Sequence, residues 1–300
     1  MKIKGFPLIL SATIISGFSV FINGYAITNI NPVLFTCLKN ISVGLAILLI
    51  IFAFKKTKLT FTESKSEYIK LLIISVIGGS IPFILFFKGL ALTNASNGAF
   101  IQKTMFVISA ILAIKFLKEK INWNYYLAGI LILIGNVIAL KFLPPLVFGW
   151  GDLMILGATI LWAFENTLSK YVLKNISANT VILFRMFGGG LIILAYSFIS
   201  GDFFAISKLN GTGIFWIFIT SFILLTYVMT WYSGLKTVKL STASIILVLA
   251  SPITTLLSFI VTQKIPSINM NIGNLLIILG IVVLFYAKYR KEKVPNIIEQ

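Results

Sequence analysis

Apolar residues run along this chain in blocks of about twenty, divided by short polar or basic stretches. A helix of that length crosses a hydrocarbon core of roughly 30 Å. Ten such spans are expected, at 6–27, 33–54, 68–88, 95–117, 125–143, 150–172, 180–200, 213–235, 241–263 and 271–288. No soluble domain fits between them. The first follows only Met1 to Gly5. It is longer than the apolar core of a signal peptide and lacks an A-x-A cleavage site, so it reads as a retained helix.

Within the blocks, polar residues recur at helical spacing. Trp162, Glu165 and Ser169 follow an i, i+3, i+7 stripe on the sixth span, and Ser16, Ser19 and Asn23 follow the same spacing on the first. Lys103 shares a face of the fourth span with Ala99, Phe106 and Ala110, and Tyr227 and Trp231 share one on the eighth with Thr220 and Leu224. Pro82, after Gly78 and Gly79, and Pro252 are expected to interrupt the third and ninth spans.

The stripes reflect an internal repeat. LSATIISGFSVFINGY (Leu10 to Tyr25) aligns with LGATILWAFENTLSKY (Leu156 to Tyr171), and Lys39 then meets Arg185 and Gly44 meets Gly190. Gly89 pairs with Gly234, Ser96 with Ser241 and Gly135 with Gly280, all at offsets of 145 or 146. Each half (1–145 and 146–300) holds five spans, and an odd number starts the second half from the opposite side of the membrane. The expected fold is an all-α integral membrane protein with ten transmembrane helices in two inverted-topology repeats.

Composition agrees: of 300 residues, 58% are hydrophobic and 11% charged, with a mean hydropathy of +1.02. The net charge of +17 is placed asymmetrically rather than spread as a nucleic-acid surface. With the N-terminus inside, eighteen Lys and Arg fall on the inner side and three, Lys141, Lys208 and Lys264, on the outer. Cytoplasmic loops are enriched in Lys and Arg, so both termini are expected in the cytoplasm of a multi-pass plasma-membrane protein. Cys37 is the sole cysteine and there is no histidine. This excludes an intrachain disulfide, histidine-based zinc sites and Ser-His-Asp triads.

Several motifs together resemble the ten-helix EamA-type permeases of the drug/metabolite transporter superfamily. They are NPVLFTCLK at the start of the second span, the Trp162-Ala163 pair, FLKEKI with Glu119 at the end of the fourth, and the paired glycine helices closing each half. The sequence departs from that pattern at Lys264, which stands where the counterpart of Glu119 would be. The resemblance implies export of an amino acid or related carboxylate.

The chemistry is expected near the bilayer midplane, where ionisable groups are costly. The candidate substrate-binding residues are Ser16, Ser19, Asn23, Lys103, Trp162, Glu165, Tyr227 and Trp231. Glu165 is the one internal acid, with Lys103 as its expected cationic partner. That pair has two readings: it neutralises two buried charges, or it handles substrate or a proton. Lys39 and Arg185 sit about six residues inside their spans and are read as snorkelling to a surface. With Lys39, Lys103 and Arg185 against one acid, a positive cavity favouring a carboxylate or phosphate is expected.

The partners expected are a small-molecule substrate, the lipid bilayer and a coupling proton or other ion, with the chain a monomer or homodimer. No cofactor, metal or nucleic acid is implied, and no P-loop motif occurs. The leading function is a secondary transporter working by alternating access. A membrane-embedded enzyme or a channel acting on a lipid or small solute is the alternative.

Overall fold

A computed structural model describes residues 5–26, 30–53, 64–93, 95–140 and 149–293. The helices are α1 (Gly5–Ala26), α2 (Pro32–Ala53), α3 (Lys65–Gly79), α4 (Ile81–Leu92), α5 (Ala95–Lys103), α6 (Met105–Leu117), α7 (Trp123–Ala139), α8 (Trp150–Val172), α9 (Ala178–Leu183), α10 (Gly189–Ser200), α11 (Gly211–Leu235), α12 (Leu240–Leu247), α13 (Ala250–Thr262) and α14 (Ile268–Lys293). A π-helical turn, Phe184–Gly188, joins α9 to α10, and a 3-10 turn, Asp202–Lys208, follows α10.

Taken end to end, α3 with α4, α5 with α6, α9 with α10, and α12 with α13 are four broken rods. The described residues thus form ten rods. Eight are long and apolar enough to cross a membrane. The fifth, α7, is apolar but only 17 residues long. The sixth, α8, has 23 residues but carries Asp152, Glu165 and Lys170. The expected ends of the first, second and fifth spans, at residues 27, 54 and 141–143, lie outside the described residues.

The repeat is visible in the packing. A Cβ on Gly135 of α7 would stand 2.6 Å from the Gly273 carbonyl oxygen of α14, and one on Gly280 would stand 2.9 Å from that of Ala128. These contacts are images of each other at the repeat offset. So are Gly44 against Phe187 and Gly190 against Ile41, and likewise Gly89 against Gly151 and Gly234 against Gly5. Residue order rises on α7 as it falls on α14, so counterpart helices run antiparallel. The two-fold relating the halves therefore lies across the helix axes, which is an inverted repeat.

The break between α3 and α4 has a simple cause. Pro82 has no N–H, which leaves the Gly78 carbonyl without its i+4 donor. The Phe83 N–H turns to Ser80 O at 3.0 Å, which also frees the Gly79 carbonyl. Both are satisfied from other rods. Trp162 Nε1 donates to Gly78 O at 3.2 Å, and Asn40 Nδ2 donates to Gly79 O at 3.0 Å.

The ninth rod breaks at Val248 and Leu249, one turn before the expected position at Pro252, because proline disturbs the carbonyl four residues earlier. The Val248 carbonyl accepts instead from Ser251 N at 3.0 Å. Its counterpart break, at Thr104, occurs without a proline.

Candidate functional site

Glu165 is fully buried, two turns before the end of α8. Its Oε1 accepts from Ser169 Oγ at 2.6 Å, one turn along the helix, and from Tyr232 OH of α11 at 2.7 Å. Its Oε2 faces Arg185 Nε at 3.5 Å, and Arg185 has a side-chain exposure of 12%. Neither Oε2 nor Nε has a hydrogen-bond partner, so the charges attract without a bond between them. The Arg185 guanidinium also lies 6.0 Å from the Tyr232 ring centroid.

The π turn carries Arg185 and is positioned from the first half. Ser75 Oγ of α3 donates to the Phe184 carbonyl at 2.6 Å. A Cβ on Gly188 would come 2.6 Å from Ser75 Oγ, and one on Gly189 would strike the Gly79 backbone. On the facing side, a Cβ on Gly78 would collide with Glu165 Cγ and lie 3.2 Å from Arg185 Nε. The charged pair of the second half is therefore seated on the glycine break of the first. Single-turn π segments are frequent at functional sites.

Arg185 is thus the partner of Glu165, which corrects two expectations. Arg185 does not snorkel, and Lys103 does not pair with Glu165. Lys103 Nζ donates to Ser251 Oγ at 2.6 Å, joining the break of the fourth rod to that of the ninth. The reason lies in the hairpin that joins α8 to α9. Glu165 and Arg185 stand ten residues either side of Asn175, so antiparallel helices bring them to the same depth.

The remaining candidates fall into two groups. Trp162 is 7% exposed and packs edge-on against Phe83 at 5.3 Å while its indole holds Gly78. Trp231 is also buried, stacks on Tyr227 with centroids 6.2 Å apart, and donates from Nε1 to Asn166 Oδ1 at 3.1 Å. These rings surround the Glu165 site. Ser16, Ser19 and Asn23 lie half-buried on α1. Asn23 Oδ1 accepts from Lys39 Nζ at 2.8 Å, and Asn23 Nδ2 donates to Ser19 Oγ at 3.0 Å.

Tyr232, Asn166, Gly78 and Asn40 were not among the candidates. Tyr232 and Asn166 were legible as neighbours in sequence of Trp231 and Glu165, but their contacts depend on how the rods rotate. Glu119 lies outside this site. Its carboxylate accepts from Leu240 N at 2.7 Å and from Ser241 Oγ at 2.6 Å, capping the start of α12. Among the described residues, no group of histidine, cysteine, aspartate and glutamate could hold a metal.

The chain matches the EamA-like transporter family twice, over residues 3–141 and 149–286. It is 28% identical over 249 residues to the uncharacterized transporter YyaM of Bacillus subtilis, covering 79% of each chain. It is 22% identical over 309 residues to an uncharacterized transporter of Methanothermobacter thermautotrophicus, covering 95% of this chain and 87% of that one. A crystal structure sharing 14% identity superposes with a TM-score of 0.80, covering 97% of this chain and all of the other, and so shares the fold. The family and the names of these relatives point to transport rather than enzymatic chemistry. Two matching repeats, antiparallel counterpart helices and apolar rods together place this multi-pass membrane protein in the EamA-like transporter family of the drug/metabolite transporter superfamily.

Proposed function

We propose that the chain is a secondary transporter that carries a small metabolite bearing a carboxylate across the plasma membrane by alternating access. All ten rods cross the bilayer in this reading, and the halves 1–145 and 146–300 rock against each other. The observation that carries it is the Glu165–Arg185 pair, the one ion pair among the described residues, buried on the helix break of the opposite half. Rocking parts that surface. Glu165 is then a gated charge, paired in one state and released to substrate or a proton in the other. Outward transport is favoured by the family likeness alone.

The solute class is tested first by thermal shift, because a ligand that binds only the folded state raises Tm. Amino acids and organic acids that shift Tm are then loaded into proteoliposomes for counterflow. Accelerated exchange of a carboxylate is expected, whereas exchange of simple organic cations with no response to carboxylates would contradict the reading. Dissipation of the gradient without counterflow would indicate a channel.

Orientation has a separate test. Both termini are expected in the cytoplasm, from the eighteen-to-three division of Lys and Arg. Leu146→Cys in a Cys37→Ala background should react with an impermeant maleimide added outside intact cells. Labelling from the cytoplasmic side alone would reverse the topology.

A further inference from the structure

The hairpins that open the two halves share one plan and differ by one charge. Glu165 and Arg185 flank Asn175 at ten residues on each side, and Ser19 and Lys39 flank Asn29 in the same way. In the second half, Ser169 donates to Glu165 one turn away while Arg185 faces the same carboxylate. In the first, Asn23 donates to Ser19 across the same turn, and Lys39 donates to Asn23. The cation has been kept, and the carboxylate has become a hydroxyl.

Lys39 is consequently left with neutral company. It holds Asn23 Oδ1 and lies 4.6 Å from the Phe35 ring centroid, with no carboxylate partner among the described residues. Lys103 is in the same position, bonded to the Ser251 hydroxyl. Ser251 lies on α13, whose Thr254 donates to the Gly17 carbonyl of α1 at 2.9 Å, next to Ser16. Of the two ammonium groups, Lys39 is the one that bonds a residue of the polar stripe of α1. A charge at membrane depth is costly and marks a functional position, and here each ammonium meets a neutral side chain rather than an opposite charge.

We infer that Lys39, with Asn23 and Ser19, receives the carboxylate of the transported solute at the position two-fold related to that of Glu165. The inference rests on the transporter reading and assigns that solute's anionic group to one place. Three features define the site: a small side chain where the repeat has glutamate, an amide one turn away that bonds it, and a cation held on that amide. A single ammonium with neutral donors matches one negative charge, as Arg185 matches Glu165, so the class is a monocarboxylate rather than a phosphate dianion.

A carboxylate supplied by the chain itself tests this without knowing the solute. In neutral, lipid-free detergent micelles, Ser19→Glu is expected to raise Tm by about 3 °C, and to do so only while Lys39 is present. Asn23→Asp, which adds no atoms, serves the same purpose if Ser19→Glu does not fold. Sodium propionate, compared with equal sodium chloride, is expected to raise Tm of the wild type but not of Ser19→Glu or Lys39→Met. Where propionate proves too weak to register, the coupling between Ser19→Glu and Lys39→Met decides. Equal effects of Ser19→Glu with and without Lys39, or a propionate shift that survives Lys39→Met, would overturn the site. A Lys39-dependent shift caused by phosphatidylglycerol and not by propionate would overturn the solute assignment in favour of lipid. Absence of counterflow with the coupling intact would instead count against the transporter reading alone.

Discussion

Arg185→Met should lower stability more than the loss of any other polar side chain at the site. It leaves the Glu165 carboxylate fully buried with two hydroxyl donors and no countercharge. Breaking a buried pair by removing one partner costs about 3–5 kcal/mol, because the surviving charge has neither water nor a partner. At roughly 2–4 °C for each kcal/mol in a chain of this size, the expected fall in Tm is about 10 °C. Adding Glu165→Gln should recover most of it, since removing both charges is often neutral. Glutamine still accepts from Ser169 and Tyr232. A double variant as unstable as Arg185→Met would mean that the guanidinium stabilises the fold through packing on Tyr232 rather than through Glu165.

Gly79→Ala is expected to cost at least as much by a different route. Its Cβ would fall on the Arg185 carbonyl oxygen and lie 2.9 Å from Gly189 Cα, so backbone meets backbone on both sides. Overpacking in a well-packed core typically costs about 1–3 kcal/mol when side chains can shift. Here they cannot, and the expected loss is about 3 kcal/mol or more. The same change would push Arg185 away from Glu165 and disturb the Asn40 bond to Gly79. Gly24→Ala is the control, because a Cβ there meets nothing within 4 Å. Equal Tm values for the two variants would show that α3 and the π turn are not locked as described.

The architecture was legible because each of its causes acts locally. Apolar blocks of membrane-spanning length mark the rods, and Lys and Arg mark the loops. The constant repeat offset appears in the folded chain as antiparallel glycine contacts between counterpart helices. Pro82 announced the break after α3, since a missing N–H acts wherever it stands. The break at Thr104 carried no such signal, and it was legible only as the image of the break at Leu249. The π turn likewise had no signature beyond Gly188, Gly189 and Gly190.

Glu165 was legible as a buried acid from its stripe with Trp162 and Ser169, but its partner was not read correctly. Which cation meets Glu165 depends on azimuth around the bundle, and azimuth is set by packing. The hairpin symmetry about Asn175 held the better answer. It names Arg185 directly, and its image about Asn29 names Lys39 and Ser19.

The central claim is that the Glu165–Arg185 pair serves transport and not only folding. The direct measurement is counterflow by the Glu165→Gln, Arg185→Met double variant in proteoliposomes, with a carboxylate solute identified by thermal shift. Its Tm and insertion are first matched to the wild type. The account predicts a folded protein whose exchange is lost, or no longer varies with pH where wild-type exchange does. Exchange at the wild-type rate across pH would contradict it, and the pair would then be a device that orients helices.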